Sequence, residues 1–370
     1  MRASLILEDG SVFKGRGFGK EGIAYGEVVF TTGMVGYPEA LTDPSYRGQI
    51  LVMTYPLIGN YGVPSKKLEE NGLPLHYESD RIQVEGFVVS RLMRENHWLS
   101  SKSLDKFLRE ENVPGIEGVD TRALVKKIRE KGVMMGALCV GDHDEEEIIQ
   151  KLHELSYEEM KLIDSVTPKD IIVHTPQNPQ GRVVVVDCGI KYGILRELLK
   201  RGLEIIRMPC YEDPVVTMEE FQARGILFGN GPGNPRLLGE LVKKAREVID
   251  YGIPTMGICL GNQILAMANG AEIYKLKYGH RGINKPVKDL KSGRAFVTTQ
   301  NHGYAIRAET LNEFRVWMRN IDDGSVEGIY HPQKPVIGVQ FHPEASPGPL
   351  DTTWVFDIFT MMMGDEKHGL

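Results

Sequence analysis

Cysteine is scarce in this chain: Cys139, Cys188, Cys210 and Cys259 are all there is among 370 residues. None pairs with another at short spacing, which argues against a disulfide framework or a zinc site, so no metal is expected. No apolar run approaches the roughly 20 residues of a membrane span. The start, MRASLILEDG, meets Glu8 and Asp9 too soon for a secretory apolar core. Basic charge is not in excess either. The 44 Lys and Arg against 50 Asp and Glu leave a formal charge of −6, with no electrostatic footprint for nucleic acid or an anionic membrane. A GxxxxGK[ST] phosphate loop is missing, so ATP chemistry of that type is not expected of this chain. Internal repeats and low-complexity tracts are also absent. What is present is an ordinary globular composition, 41% hydrophobic and 25% charged, in a chain long enough for two cores. A cytoplasmic protein is expected.

The first part is rich in short strands. LILEDGSVFKG reads as a hairpin turning at Asp9-Gly10, and EVVFTTGM, QILVMTYPL and IQVEGFVVSRL are further apolar runs bounded by Gly, Pro and Asp. Helices are expected around 104–110 and from Asp120, a good N-cap, to Gly132, with a last strand at GALCVG. Residues 1–154 therefore read as a β-rich α+β domain. Residues 155–181 read as a linker, because the segment is irregular and VTPKDIIVHTPQNPQG carries three prolines.

From 182 to 370 strands and helices alternate. RVVVVDCG is a near-continuous β-branched run, the pattern of a strand buried on both faces of a parallel sheet. LEIIRMP, ILFGN and PVIGVQF continue the series, a helix is expected over 235–251, and TTWVFDIFTMMMG reads as a final helix. The order predicts a doubly wound, mostly parallel α/β sheet.

Within it, GICLGNQ (257–263) sets Cys259 between two glycines where a strand passes into a helix. A G-x-nucleophile-x-G turn strains its central residue and projects the side chain from the sheet edge. The unpaired N–H groups of the helix that follows favour negative charge on the sulfur. Random placement would give about 0.05 such pentapeptides in a chain of this composition, so the motif is suggestive but not decisive, and an inert core thiol is the competing reading. A second signal weighs against inertness. QFHPEASPGP follows the strand PVIGVQF, with His342 and Glu344 two apart around Pro343. In an extended segment both point to one side, so the carboxylate could orient the imidazole. Cysteine, base and orienting acid are the parts acyl transfer needs. A third signal, FGNGPGNP (228–235), could expose backbone N–H groups at Gly231 and Gly233, or simply be a flexible turn.

At this point the chain resembles a known family. Residues 182–365 are similar to class I, triad-type glutamine amidotransferases. LTDPSYRGQI, TYPLIGNYG, EGFVVS, DTRALVKKIREKG and QNHGY resemble the small, glutamine-hydrolysing subunits of carbamoyl-phosphate synthases. The resemblance implies that Cys259 is the nucleophile, His342 the base and Glu344 the orienter. It implies an oxyanion hole from the amides of Gly231 and Leu260. Gly233, Gln263, Asn301, Gly303 and Tyr304 would hold L-glutamine, and Ser45 would reach in from the first domain. It further implies a large-subunit partner that uses MgATP and bicarbonate, with no cofactor in this chain. Asn262 stands where many relatives have histidine, Tyr304 where phenylalanine is common, and Tyr192-Gly193 where asparagine is usual. Competing readings are an amidotransferase subunit for another acceptor, such as anthranilate or guanylate synthesis, a cysteine peptidase or γ-glutamyl hydrolase acting alone, and a non-catalytic adaptor.

Overall fold

Valines in unbroken runs and glycine-punctuated hairpins organise the chain into two units in a computed structural model that describes residues 1–364. The end of the expected second domain, 365–370, lies outside the described residues. One unit comprises Met1–Glu69 and Pro74–Leu162; the other comprises Glu70–Leu73 and the chain from Ile163 onward.

In the first unit seven strands close into a barrel, in the order Arg2–Leu7, Met134–Val140, Gly22–Thr31, Gln49–Met53, Gly86–Val89, Pro114–Glu117 and Val12–Gly19. The turn at Asp9-Gly10 forms as expected, with the Ser11 amide donating to Asp9 Oδ1 at 3.1 Å and the Gly10 amide to the Leu7 carbonyl at 2.9 Å. Closure removes the sheet edges. Val29, Leu51, Phe87 and Val89 form a core with Phe107 and Leu108 of the helix Leu104–Glu110, which packs on the outer face of the strands. A second helix, Thr121–Lys131, is capped by Asp120, whose carboxylate accepts from the Ala123 amide at 2.9 Å, and stops at Gly132.

The second unit is built on a sheet of ten described strands. Its order is Ile172–His174, Leu203–Pro209, Gly181–Asp187, Gly225–Phe228, Thr255–Ile258, Val336–Val339, Val326–Tyr330, Arg315–Asn320, Ile273–Asp289 and Ala295–Ile306. Parallel pairing runs from Leu203–Pro209 to Val336–Val339, and every other pairing is antiparallel. The sheet is therefore mixed rather than mostly parallel. The unforeseen half is the long pair Ile273–Asp289 and Ala295–Ile306, whose segments GHRGINKPVKD and AFVTTQNHGY are too polar to read as buried strands.

Alternation along Gly181–Asp187 separates two cores. Val184 and Val186 pack with Ile206, Phe228 and the helix residues Leu241, Val248 and Ile264. Val183 and Val185 pack on the other face with Leu227, Met256, Leu195, Leu198 and Phe356. Burying each such side chain contributes about 1.5–3 kcal/mol. The expected helix over 235–251 divides into a short 3-10 turn, Pro235–Leu237, and the helix Gly239–Tyr251. Among the described residues no helix is long and apolar enough to cross a membrane.

Candidate active site

Two neighbouring parallel strands set the geometry of the site. Thr255–Ile258 and Val336–Val339 run side by side with Ile258 opposite Val339. The next residue on one strand is Cys259 and on the other Gln340, and the Cys259 amide donates to the Val339 carbonyl at 2.8 Å. Sequence positions 81 apart thus emerge together at the carboxyl end of the sheet, where open α/β sheets bind ligands.

Cys259 adopts φ 54° and ψ −101°, a strained conformation for a residue with a Cβ. Its neighbours explain why the strain holds. A Cβ on Gly257 would lie 2.7 Å from the Asn262 amide, and one on Gly261 would run into the Phe228 carbonyl oxygen. Only glycine lets the helix Leu260–Ala268 start this close to two strands. The elbow points the sulfur toward the strand Ala295–Ile306, where the thiol donates to the Asn301 carbonyl at 3.8 Å, and Gln340 Nε2 donates to Sγ at 3.7 Å.

His342 and Glu344 do meet, with Nδ1 2.7 Å from Oε1 and both side chains fully buried. The cause differs from the expected strand alternation. Residues 343 and 344 form a turn in which the Ala345 amide donates to the His342 carbonyl at 3.1 Å. The His342 amide donates to the Thr299 carbonyl at 2.8 Å, which anchors the turn to the neighbouring strand. Burial opposes the imidazolium, as does Lys191, yet the Glu344 carboxylate and the Cys259 thiol push His342 above its ordinary value. Burial likewise opposes ionisation of Glu344, and Lys191 and His342 outweigh it, holding the carboxyl well below the usual range.

Lys191 is the residue that sequence reasoning missed. Its Nζ lies 2.9 Å from Glu344 Oε1 and donates to the Ala345 carbonyl at 2.8 Å, and its side chain is 2% exposed. A lysine in the turn GIK before a helix carries no local sign of such burial. Gln340 was also passed over. It opens the QFHPE motif, and two-residue alternation from His342 could have flagged it.

The other expected site residues fall as follows. Gly231, beyond the strand Gly225–Phe228, packs so closely on Leu260 and the Cys188 carbonyl that a Cβ would collide with both. Among the described residues no hydrogen-bond partner is found for the amides of Gly231 and Leu260. Gly233 lies in the same turn, with φ 89°. Gln263, one turn into the helix, donates to the Tyr304 carbonyl and to Gln340 Oε1, each at 3.1 Å. Asn301, Gly303 and Tyr304 belong to the strand Ala295–Ile306. Ser45 belongs to the first unit, buried in the 3-10 turn Pro44–Tyr46, where its amide donates to Asp43 Oδ1 at 2.9 Å.

A cysteine held at a strand-to-helix elbow, next to two unengaged amides, has the parts to attack a carbonyl carbon and stabilise the resulting oxyanion. Comparison with known proteins agrees on the class of domain. Residues 184–362 match the glutamine amidotransferase class-I family, and residues 5–138 match the carbamoyl-phosphate synthase small chain, CPSase domain. The chain is 63% identical over 363 residues to the carbamoyl phosphate synthase small chain of Pyrococcus furiosus, covering 98% of each. It is 52% identical over 367 residues to that of Sulfolobus acidocaldarius, covering 98% of this chain and 97% of the relative. On that evidence the chain belongs to the carbamoyl-phosphate synthase small-chain family.

Proposed function

We propose that this chain is the glutaminase subunit of a carbamoyl-phosphate synthase, hydrolysing L-glutamine and passing the ammonia to a large subunit. The observation that supports the reading is the emergence of Cys259 and Gln340 side by side from two adjacent parallel strands, with the buried His342–Glu344 pair two residues beyond Gln340. Helix-bearing cores on both faces of the parallel strands support a doubly wound, class I amidotransferase-like architecture. In the reaction, the Cys259 thiolate attacks the side-chain amide carbon of glutamine. The amides of Gly231 and Leu260 take the negative charge on oxygen, each donor contributing roughly 3–4 kcal/mol. His342 transfers its proton to the departing nitrogen, and the C–N bond breaks to leave a γ-glutamyl thioester and ammonia. Water, deprotonated by the same imidazole, then attacks the thioester carbon, glutamate leaves and the thiolate is restored. Glu344, itself held by Lys191, keeps the imidazole in the orientation and charge state this cycle needs. Gln263, Asn301, Gly303, Tyr304 and Gly233 are assigned to the amino-acid end of glutamine, and Ser45 is assigned to the same ligand.

Ammonia freed into water at neutral pH becomes mostly ammonium, which is no nucleophile, so it must travel protected to its acceptor. We assign MgATP and bicarbonate to the large subunit, place the pair in the cytoplasm, and infer that the barrel unit supplies docking surface. The products serve pyrimidine and arginine synthesis. Cys259→Ser tests the reading in the complex. Glutamine-dependent synthesis should fall by about 10^6-fold, the scale of losing a triad nucleophile, while synthesis from added ammonia persists. Unchanged glutamine use would reject the assignment.

A further inference from the structure

Beside Asn301, on the strand Ala295–Ile306, three buried side chains converge from three strands: His280, His302 and Glu327. His280 and His302 face each other across the antiparallel pair, and Glu327 sits on the strand Val326–Tyr330. One ligating atom from each lies within 4.8 Å of the other two.

The hydrogen bonds fix which nitrogen of each ring carries its proton. His302 Nδ1 lies 2.8 Å from the Tyr304 carbonyl, which can only accept, so Nδ1 is the protonated nitrogen. His280 Nε2 lies 2.9 Å from the Asp323 carboxylate, so Nε2 carries the proton there. The opposite nitrogens, His302 Nε2 and His280 Nδ1, are then lone pairs, and both turn toward Glu327, at 3.8 and 3.5 Å from Oε1. Asn320 Nδ2 donates to Glu327 Oε1 at 3.1 Å and more distantly to His280 Nδ1 at 3.4 Å. Among the described residues nothing donates to His302 Nε2 or to Glu327 Oε2, although both atoms are buried. Three electron-pair donors thus face one another with too few protons between them, and a cation resolves that conflict.

We propose that His280, His302 and Glu327 supply three ligands of a buried site for a divalent transition ion of the zinc class, with water in the fourth position. Bonds of about 2.1 Å in a tetrahedral shell separate ligand atoms by about 3.4 Å, close to the separations from Glu327. Two imidazoles and one carboxylate favour zinc-like ions over magnesium or calcium. Asp323 and the Tyr304 carbonyl occupy the outer positions that usually orient metal-bound histidines. The ion would tie the antiparallel pair to the rest of the sheet. His302 adjoins Asn301, Gly303 and Tyr304, which are assigned to glutamine, but the test below reads metal uptake and does not depend on that assignment.

The test uses the full chain, stripped with chelator and titrated with Co2+ and then Zn2+. One equivalent of Co2+ should bind with the intense visible absorption of a tetrahedral ion, be displaced by Zn2+, and raise the thermal midpoint. Glu327→Gln and His280→Gln should abolish that uptake, and Asp323→Asn, at the outer edge, should weaken it about 10–100-fold. Circular dichroism checks that each variant folds, and Asp323→Asn keeps the test valid should a core variant fail. A proton shared among the three groups would satisfy the same geometry and predicts no stoichiometric uptake. That result, or uptake unchanged in all three variants, overturns the site.

Discussion

At Glu344 one buried carboxylate faces two cationic partners, His342 at 2.7 Å and Lys191 at 2.9 Å. Glu344→Gln keeps the shape and removes the charge, which leaves Lys191 buried without that carboxylate. A cost of about 3–5 kcal/mol is expected, together with a loss of about 10^4-fold in glutamine hydrolysis, the scale of losing a triad's orienting acid. The pH dependence has a definite sign. Folded Glu344 titrates below its ordinary 4.5, so its contribution to stability is complete above that value and is lost as pH falls through the lower one. Folded His342 titrates above its ordinary 6.5, so its contribution is complete below that value and is lost as pH rises through the higher one. Urea midpoints measured across pH should therefore flatten on both sides in Glu344→Gln. An unchanged acid limb would refute the ion-pair account.

The strand–elbow–helix element depends on close backbone approach rather than on side-chain packing. Gly261→Ala would push a methyl group into the Phe228 carbonyl. It should destabilise the chain by about 1–3 kcal/mol through forced backbone shifts, and glutamine hydrolysis should fall with it because the Cys259 elbow moves. Gly239 is the matched control, also in the first turn of a helix but with nothing within 4 Å of its Cβ position. Gly239→Ala should be neutral or stabilising by up to about 1 kcal/mol. Denaturant midpoints of the two variants compare the effects directly, and equal shifts would contradict the close-approach argument.

On the scale of the molecule, a four-residue excursion, Glu70–Leu73, leaves the barrel sequence to join the second unit. Leu73 enters the core formed by Val183, Leu199 and Leu203, and Lys200 Nζ sits 3.1 Å from Glu70 Oε2. The ion pair is partly exposed and contributes little. Leu73→Ala, by contrast, should cost about 2–5 kcal/mol. Hydrogen exchange should locate the loss in the second unit, even though the substitution lies within the barrel's stretch of sequence. Faster exchange confined to barrel strands would contradict this placement. A fragment beginning at 163 would lack this residue and should show the same weakness.

Much of the parallel core was legible along the chain, because unbroken valine runs, glycine-bounded turns and the order Cys259, His342, Glu344 are local signals. Asp120 and Gly132 marked the ends of their helix for the same reason. The mixed half of the sheet was hidden by polar strands, and barrel closure depends on pairings no single segment announces. The burial of Lys191, the place of Gln340 beside the sulfur, and the meeting of His280, His302 and Glu327 were decided only in three dimensions. Each depends on the register between strands distant in sequence, and register is a property of pairs of segments that neither segment specifies alone.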